Sequence, residues 1–224
     1  MSQAIMPTYG RLAVEFDRGN GQWLWDTSGK KYLDGLGGLA VNVLGHTHPK
    51  VVETIREQAG KLIHTSNLYG IQKQSELAER LVELSGLDNM FFGNSGAEAN
   101  EAALKIARAY GNNRGVSSPT VIVVEGSFHG RTLGTLSATG NPKIHSGFYP
   151  LVEGFQHVPY DDLDAIEAYA ANKNVVAVMV EPILGEGGVV VPKDGYLRSL
   201  RTFCDRNNWL LILDEIQTGM GRTG

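Results

Sequence analysis

The spacing of apolar and polar positions changes along the chain and predicts different structures in its two parts. Near the N-terminus, residues 22–26 and 31–34 are short runs of strand-forming character separated by residues 27–30. Gly29, within that separator, can adopt the positive φ that a tight turn requires. The pattern therefore predicts a β hairpin at the start of the chain.

Helical spacing follows the hairpin in two places. One helix is expected after His48 and Pro49, and a second is expected over residues 72–84. Their apolar positions recur every three or four residues, so each helix should bury one face. These positions are Val51, Val52, Ile55, Ala59 and Leu62 in the first helix, and Leu77, Ala78, Leu81 and Leu84 in the second.

From residue 90 onward the pattern becomes an alternation of strand-like and helix-like segments. Strands are expected at 90–92, 120–124, 155–158, 175–181 and 209–213, and helices at 97–110, from about 161 to 170, and at 196–206. Strands that are apolar on both faces and separated by helices are typical of a mainly parallel sheet covered on both sides. We therefore predict an α/β fold, with an N-terminal segment over residues 1–60 and a larger domain over 61–224.

Composition and charge narrow the function classes without naming one. The hydrophobic fraction is 42%, the charged fraction is 20%, and the net charge is −4 with no polybasic run. Nucleic-acid and membrane-surface binding are therefore not expected. The beginning of the sequence has no signal-peptide pattern, and the apolar runs are too short to span a bilayer. With a single cysteine, Cys204, the sequence fits a cytosolic enzyme without disulfides.

The first candidate site is a turn of small residues at 93–100, where a strand gives way to a helix. Free amides at a helix N-terminus form an anion site for a phosphate. Gly96 and Ala97 leave room for the close approach, and the Ser95 hydroxyl can add a hydrogen bond. The alternative is that Asn94 or Ser95 simply caps the helix. Neither a Walker loop nor a dinucleotide-binding glycine motif occurs in the sequence.

Three further candidates follow the predicted strands. Phe128 can stack on a flat ring, and Arg131 can bind a carboxylate, although they can equally be a core residue and a surface charge. Asp214 ends an apolar strand and is followed by Gln217. A carboxylate there can stabilise a protonated pyridine nitrogen, or it can hold Mg²⁺. Glu186 lies in a glycine-rich loop that can direct it into a site or serve no such role.

The histidines suggest little by themselves. His46 and His48 lie two residues apart in a loop, but a zinc site is not expected because no carboxylate partner is close in sequence. His129, next to Phe128, can line a pocket or be structural. No metal site is predicted.

Taken together, six stretches resemble the class III pyridoxal-phosphate aminotransferases of fold type I. They occur in the family's order and cover almost the whole chain. They are residues 45–49, 65–69, 94–100, 128–132, 181–188 and 214–219. The combination is most similar to the members that act on ornithine derivatives.

The resemblance implies a role for each matching residue. Ser95, Gly96 and Ala97 would hold the phosphate of pyridoxal 5'-phosphate, and Phe128 would lie against its ring. Asp214 would pair with the ring nitrogen, Gln217 would lie near the phenolic oxygen, and Arg131 would bind a substrate carboxylate. Glu186 would help to select a terminal amine over an α-amine. The implied partners are a small-molecule amino donor, 2-oxoglutarate, and a second subunit in a homodimer.

One essential group of the family has no counterpart here. The family's Schiff-base lysine would lie beyond Gly224, and Lys105 and Lys193 stand at positions that the family does not use for it. The apolar strand near the C-terminus also predicts that the sheet continues past Gly224. We therefore expect the chain alone to be inactive. Two other interpretations remain open: a non-catalytic protein that binds the cofactor weakly, and an unrelated phosphate-binding protein of flavodoxin type.

Overall fold

A computed structural model describes residues 4–224. The described residues form two compact units, the first ending at Ser85 and the second running from Gly86 to Gly224. The predicted domain boundary at residue 60 stays a prediction.

The first unit begins with a three-stranded antiparallel sheet in which each strand pairs with the next. β2 and β3 form the predicted hairpin, and Gly29 in its turn has φ 84°. The sequence pattern did not reveal β1 or the irregular α1. The elements of this unit are β1 (Phe16–Asn20), β2 (Trp23–Asp26), β3 (Lys31–Leu33), α1 (Gly37–Ala40), α2 (Pro49–Ala59) and α3 (Gln72–Ser85).

The helices α2 and α3 occur where helical spacing predicts them, but the predicted burial of their apolar faces is wrong. Neither helix has a buried residue, and Ile55 and Leu84 are 62% and 67% exposed. Periodicity identifies an apolar face, whereas burial also needs an element that covers it.

The second unit is built around a parallel sheet with the strand order β5-β4-β6-β7. This confirms the α/β fold and the parallel sheet that the apolar strands predict. Its elements are α4 (Gly96–Asn113), β4 (Thr120–Val124), α5 (Leu133–Ala138), α6 (Pro142–His145), β5 (Phe155–Val158), α7 (Leu163–Glu167), β6 (Val175–Val180), α8 (Tyr196–Asn207) and β7 (Leu210–Leu213).

The core of this unit lies on both faces of the sheet. Every residue of β6 is buried, which explains its uninterrupted apolar run. On one face, Ile122 and Val178 pack with α7 and α8, and on the other, Val123 and Met179 pack with α4. Cys204 belongs to the first cluster and is fully buried.

One predicted strand does not form. Residues 90–92 are outside both sheets, and Phe91 is 70% exposed. A strand depends on hydrogen bonds from a neighbour, and none of the described strands pairs with this segment. The short helices α5 and α6 were not predicted, because each is too brief to show a helical period.

The described part of the chain contains no helix with the length and apolar character needed to cross a membrane.

Candidate functional site

The strand order places the candidate site at the carboxyl ends of the two central strands of the parallel sheet. The chain runs from β4 to β5 on one side and then returns to β6 on the other side of β4. At such a reversal a crevice opens beyond the carboxyl ends of the two strands, where ligands of parallel sheets bind. Phe128 follows β4 and Glu181 follows β6, so both residues lie at this crevice.

A cavity of about 270 Å³ occupies this position in the second unit. It brings together residues that are as far apart in the sequence as Gly96 and Gln217. The predicted site residues that line it are Gly96, Ala97, Phe128, Arg131, Asp214 and Gln217.

The N-terminus of α4 forms one side of the cavity. Ser95 precedes the helix, and its Oγ accepts a hydrogen bond from the amide of Glu98 at 3.2 Å. The Glu98 carboxylate in turn accepts bonds from the backbone and side-chain nitrogens of Asn94 at 2.5 and 2.9 Å. Ser95 is therefore a helix cap and is exposed beside the cavity rather than lining it.

The side chain of Ile216 packs closely against Gly96, the first residue of α4. A Cβ built on Gly96 would lie 2.7 Å from Cγ2 of Ile216 and 2.9 Å from its Cγ1. The backbone amides that begin α4 have no intrahelical acceptors. The absence of a side chain at Gly96 leaves these amides and the positive end of the helix dipole open towards the cavity.

Asp214 lies at the opposite side, immediately after β7, and only 5% of its surface is exposed. Its Oδ2 accepts a hydrogen bond from Nδ2 of Asn100 at 2.8 Å and lies 2.7 Å from Nδ1 of His129. Its Oδ1 accepts only the amide of Ile216, at 3.1 Å, among the described contacts. Oδ1 therefore retains acceptor capacity towards the cavity, while Oδ2 is fully engaged.

His129 and Asn100 together fix the Asp214 carboxylate. Asn100 also donates from Nδ2 to the carbonyl of His129 at 2.8 Å, and the His129 amide donates to Oγ1 of Thr139 at 2.9 Å. The His129 side chain is fully buried, and its Nε2 has no hydrogen-bond partner among the described residues. The sequence left His129 as either a pocket-lining or a structural residue, and it did not single out Asn100.

Glu181 joins the backbone segments on either side of the cavity. Its Oε1 accepts the amide of Phe128 at 2.7 Å, and its Oε2 accepts the amide of Gly185 at 2.9 Å. Burial raises the pKa of Glu181 above its ordinary value, and the two amide bonds oppose that shift. The sequence contained Glu181 in a matching stretch but gave no sign of this bridging position.

The remaining predicted residues lie at the cavity entrance. The guanidinium carbon of exposed Arg131 is 5.5 Å from the centre of the half-buried Phe128 ring. Gln217 donates from Nε2 to Oε1 of Glu186 at 3.3 Å, which brings the exposed Glu186 next to the cavity without lining it. The structure thus brings every predicted site residue to the cavity or to its border.

The lysines and the histidine pair lie elsewhere. No lysine of the described chain lines this cavity, and Lys105 and Lys193 are exposed. His46 does have a carboxylate neighbour in the fold, although not one close in sequence: its Nε2 lies 2.7 Å from Oδ2 of Asp34, 12 positions earlier. The bond to His46 is the main cause of a lowered pKa of Asp34. Within residues 4–224 no group of three potential ligands is arranged to hold a metal ion.

Comparison with known proteins gives matches over nearly the entire chain. The model of the family described as "Aminotransferase class-III" matches residues 5–224. The acetylornithine aminotransferase of Nitrosomonas europaea is 58% identical over 98% of this chain and 56% of its own length. That of Methanocaldococcus jannaschii is 52% identical over 96% of this chain and 54% of its own length. The chain thus spans about half the length of the curated relatives it matches.

Solved structures give the same result. The ornithine aminotransferase of Toxoplasma gondii superposes with a TM-score of 0.93 at 37% identity, covering 97% of this chain and 52% of that one. The N-acetylornithine aminotransferase of Stenotrophomonas maltophilia superposes with a TM-score of 0.82 at 40% identity, covering 96% and 54%.

Proposed function

Because this chain belongs to the class III aminotransferases, we propose that the protein containing it transfers the terminal amine of N2-acetylornithine to 2-oxoglutarate with pyridoxal 5'-phosphate as cofactor. The observation that carries this proposal is the meeting of a helix N-terminus, an aromatic ring and a buried carboxylate at one cavity. The names of the most similar curated relatives favour acetylornithine as the donor.

The residues around the cavity fit this cofactor. The open amides at Gly96 and Ala97 suit a phosphate, and Phe128 and Ile216 supply the apolar surfaces that a flat ring requires. Asp214 offers the acceptor for a protonated ring nitrogen through Oδ1, the oxygen that retains acceptor capacity. A buried carboxylate without a permanent cationic partner is costly, and a pyridinium would offset that cost.

When bound, the cofactor supplies an electron sink for the carbon that carries the reacting amine. Asp214 would keep the ring nitrogen protonated, since its negative charge in a buried place favours the cationic form. Asn100 and His129 would fix the orientation of the carboxylate through their bonds to Oδ2. Gln217 would donate a hydrogen bond to the phenolic oxygen of the ring.

Residues at the entrance of the cavity would bind the substrate. Arg131 presents a planar guanidinium beside Phe128, and this shape suits a substrate carboxylate. Glu186 would favour substrates that present a terminal amine and disfavour an α-carboxylate close to it, because like charges repel. Succinylornithine, ornithine and 4-aminobutyrate are the alternative donors that share this terminal amine.

For the 224-residue chain by itself we propose weak, non-covalent cofactor binding without turnover. The reason is that no lysine of the described chain lines the cavity, and a lysine is needed to attach the cofactor and to move the proton. Borohydride reduction followed by mass spectrometry tests this. Cofactor fixed to Lys105 or Lys193, or steady turnover by the purified chain, would contradict the proposal.

The main test uses the complete gene product with each donor and 2-oxoglutarate, and it measures the glutamate formed. We expect kcat/KM to be greatest for N2-acetylornithine, with succinylornithine and ornithine next. If glutamate forms only from 4-aminobutyrate, the donor assignment is wrong. If it forms from none of the four, the proposed reaction is wrong.

We also propose that the complete protein is a cytoplasmic homodimer. The many exposed apolar side chains of the described chain, such as Phe91, Ile106 and Ile216, support an assembly that covers part of this surface. Analytical ultracentrifugation of the complete protein at micromolar concentration tests this, and a monomer there would contradict the dimer.

A further inference from the structure

Two loops meet at the candidate site, and both contain residues assigned to it. The aromatic loop, residues 125–132, follows β4 and includes Phe128. The glutamate loop, residues 182–190, follows β6 and includes Glu186. Glu181, the residue between β6 and the glutamate loop, contacts both of them.

Each carboxylate oxygen of Glu181 accepts a hydrogen bond from one of the two loops. Oε1 accepts the Phe128 amide of the aromatic loop at 2.7 Å, and Oε2 accepts the Gly185 amide of the glutamate loop at 2.9 Å. Each bond is made to backbone, so it fixes the path of the chain rather than one side chain. Hydrogen bonds from neutral amides to a carboxylate are stronger than those between neutral groups.

Without those two hydrogen bonds, burial of the Glu181 carboxylate would be energetically unfavourable. Glu181 is 3% exposed, and the described ion pairs do not include it. Burial and the nearby charge of Asp214 act against its ionisation, and the amides of Gly185 and Phe128 favour it. A buried carboxylate without a firm cationic partner needs a specific reason to be kept, and the two loop amides supply one.

The two loops also approach each other closely. A Cβ on Gly187 of the glutamate loop would lie 2.6 Å from the carbonyl oxygen of Gly126 in the aromatic loop. Beyond the loops, a Cβ on Gly185 would overlap the side-chain oxygen of Gln217, which itself bonds Glu186. The tyrosine Tyr160 donates to the carbonyls of Glu181 and Pro182 at 3.2 and 3.0 Å and anchors the base of the glutamate loop.

We propose that Glu181 is a positioning residue that couples the aromatic loop to the glutamate loop, so that Phe128 and Glu186 keep one fixed spacing across the candidate site. The coupling itself rests on the contacts of the chain. Its consequence for substrate choice rests on the proposed function, because there Phe128 contacts the cofactor and Glu186 selects the amine.

The Glu181→Gln variant tests whether Glu181 couples the two loops. The glutamine keeps the size of the side chain but replaces one acceptor oxygen by an NH₂ group, which cannot accept an amide bond. Hydrogen exchange of the Phe128 and Gly185 amides is measured in both proteins by NMR or by mass spectrometry. We expect exchange at one or both amides to quicken by about tenfold or more, the size expected for losing a bond to a charged group.

The matched control is Glu167→Gln, which removes an exposed carboxylate on α7 of the same unit. We expect it to leave both amides unchanged. Unchanged exchange at both amides in Glu181→Gln would overturn the proposal. If Glu181→Gln does not fold, as judged by far-ultraviolet circular dichroism, Glu181→Asp is measured instead. Its shorter side chain cannot reach both loops at once and should release one amide.

A kinetic readout separates coupling from general destabilisation. In the complete protein, Glu181→Gln should lower the ratio of kcat/KM for N2-acetylornithine to kcat/KM for glutamate by about tenfold, because Glu186 moves relative to the ring. A uniform fall for both substrates would reduce Glu181 to a structural role and overturn the coupling. If the complete protein transaminates nothing, the proposed function fails, while the exchange experiment still decides the coupling.

Discussion

Nδ1 of His129 lies 2.7 Å from Oδ2 of Asp214, and both side chains are buried. Oδ2 also accepts from Asn100, so two neighbours hold one oxygen while the other retains acceptor capacity towards the cavity. An arrangement of this kind sets the direction from which a cationic ring nitrogen can approach. The negative charge of Asp214 lies beside that approach.

Replacing Asp214 by asparagine should remove that charge while retaining the side-chain volume. We expect the transamination rate of the complete protein to fall by about 10²–10³, the usual cost of losing one pre-organised electrostatic group. Cofactor binding should weaken as well, as measured by fluorescence titration. Asp164→Asn on the exposed face of α7 is the control and should leave both quantities unchanged. A variant at Asp214 with the normal rate would exclude a pairing with the ring nitrogen.

Gly96→Ala should weaken cofactor binding more than it weakens the fold. The new Cβ would overlap the Ile216 side chain, which is 59% exposed and can turn into the cavity to relieve the contact. We expect the cofactor Kd to rise by about tenfold, equivalent to roughly 1.4 kcal/mol, because the displaced Ile216 side chain would occupy space that the cofactor needs. Gly70→Ala is the control, since a Cβ there meets nothing within 4 Å. Equal Kd values for the two variants would show that Gly96 does not border the bound cofactor.

Arg131→Lys tests the carboxylate-binding assignment. Lysine preserves the charge but cannot form two parallel hydrogen bonds to a carboxylate. We expect the KM for 2-oxoglutarate to rise by about tenfold, equivalent to roughly 1.4 kcal/mol, with little change in the cofactor Kd. Arg198→Lys, on the exposed side of α8, should leave KM unchanged. A larger effect on the cofactor Kd than on KM would place Arg131 at the cofactor instead.

Glu181 should make stability depend on pH in a direction unusual for a carboxylate. Burial raises its pKa in the folded chain above the ordinary value of 4.5, and the surrounding groups are His129, Asp214 and Tyr160. The folded state therefore binds this proton more tightly than the unfolded state does. The resulting stability is fully present below the unfolded pKa and is lost as the pH rises through the folded pKa.

Urea unfolding at several pH values measures this effect against Glu181→Gln, which has no proton to lose. The free energy of unfolding of the natural chain, relative to the variant, should fall as the pH rises from about 4.5 towards neutrality. A relative stability that instead increases over this range would mean that the amide bonds outweigh burial and lower the pKa.

The sequence predicted those parts of the structure that depend on local pattern. β4 and β5 have the predicted bounds, because each short segment is limited on one side by a proline: Pro119 precedes β4, and Pro159 follows β5. β6 could be identified because all of its residues are buried, which leaves an unbroken apolar run. By contrast, residues 90–92 have strand composition but no neighbour, and composition alone does not reveal a missing partner.

The candidate site could be predicted only where a residue stands in a recognisable position. Phe128 and Asp214 follow apolar strands, so the common edge of a parallel sheet predicts that they are close together. The contacts of Asn100 and His129 with Asp214 became evident only in the fold, where these residues lie next to the end of β7. Their bonds to Asp214 span 114 and 85 positions of the chain, and no local pattern encodes such distances.

The order β5-β4-β6-β7 also bears on how quickly the second unit can fold. β4 and β6 are the two central strands of the sheet. Val121 of β4 pairs with Phe155 of β5 on one side and with Ala177 of β6 on the other. Each pairing closes a long stretch of chain before it yields any hydrogen bond, and topologies dominated by such distant pairings fold more slowly than helical bundles. Substitutions in β4 should therefore retard refolding more than equally destabilising substitutions in α8, which makes β4 the place where the assembly of this unit is most easily delayed.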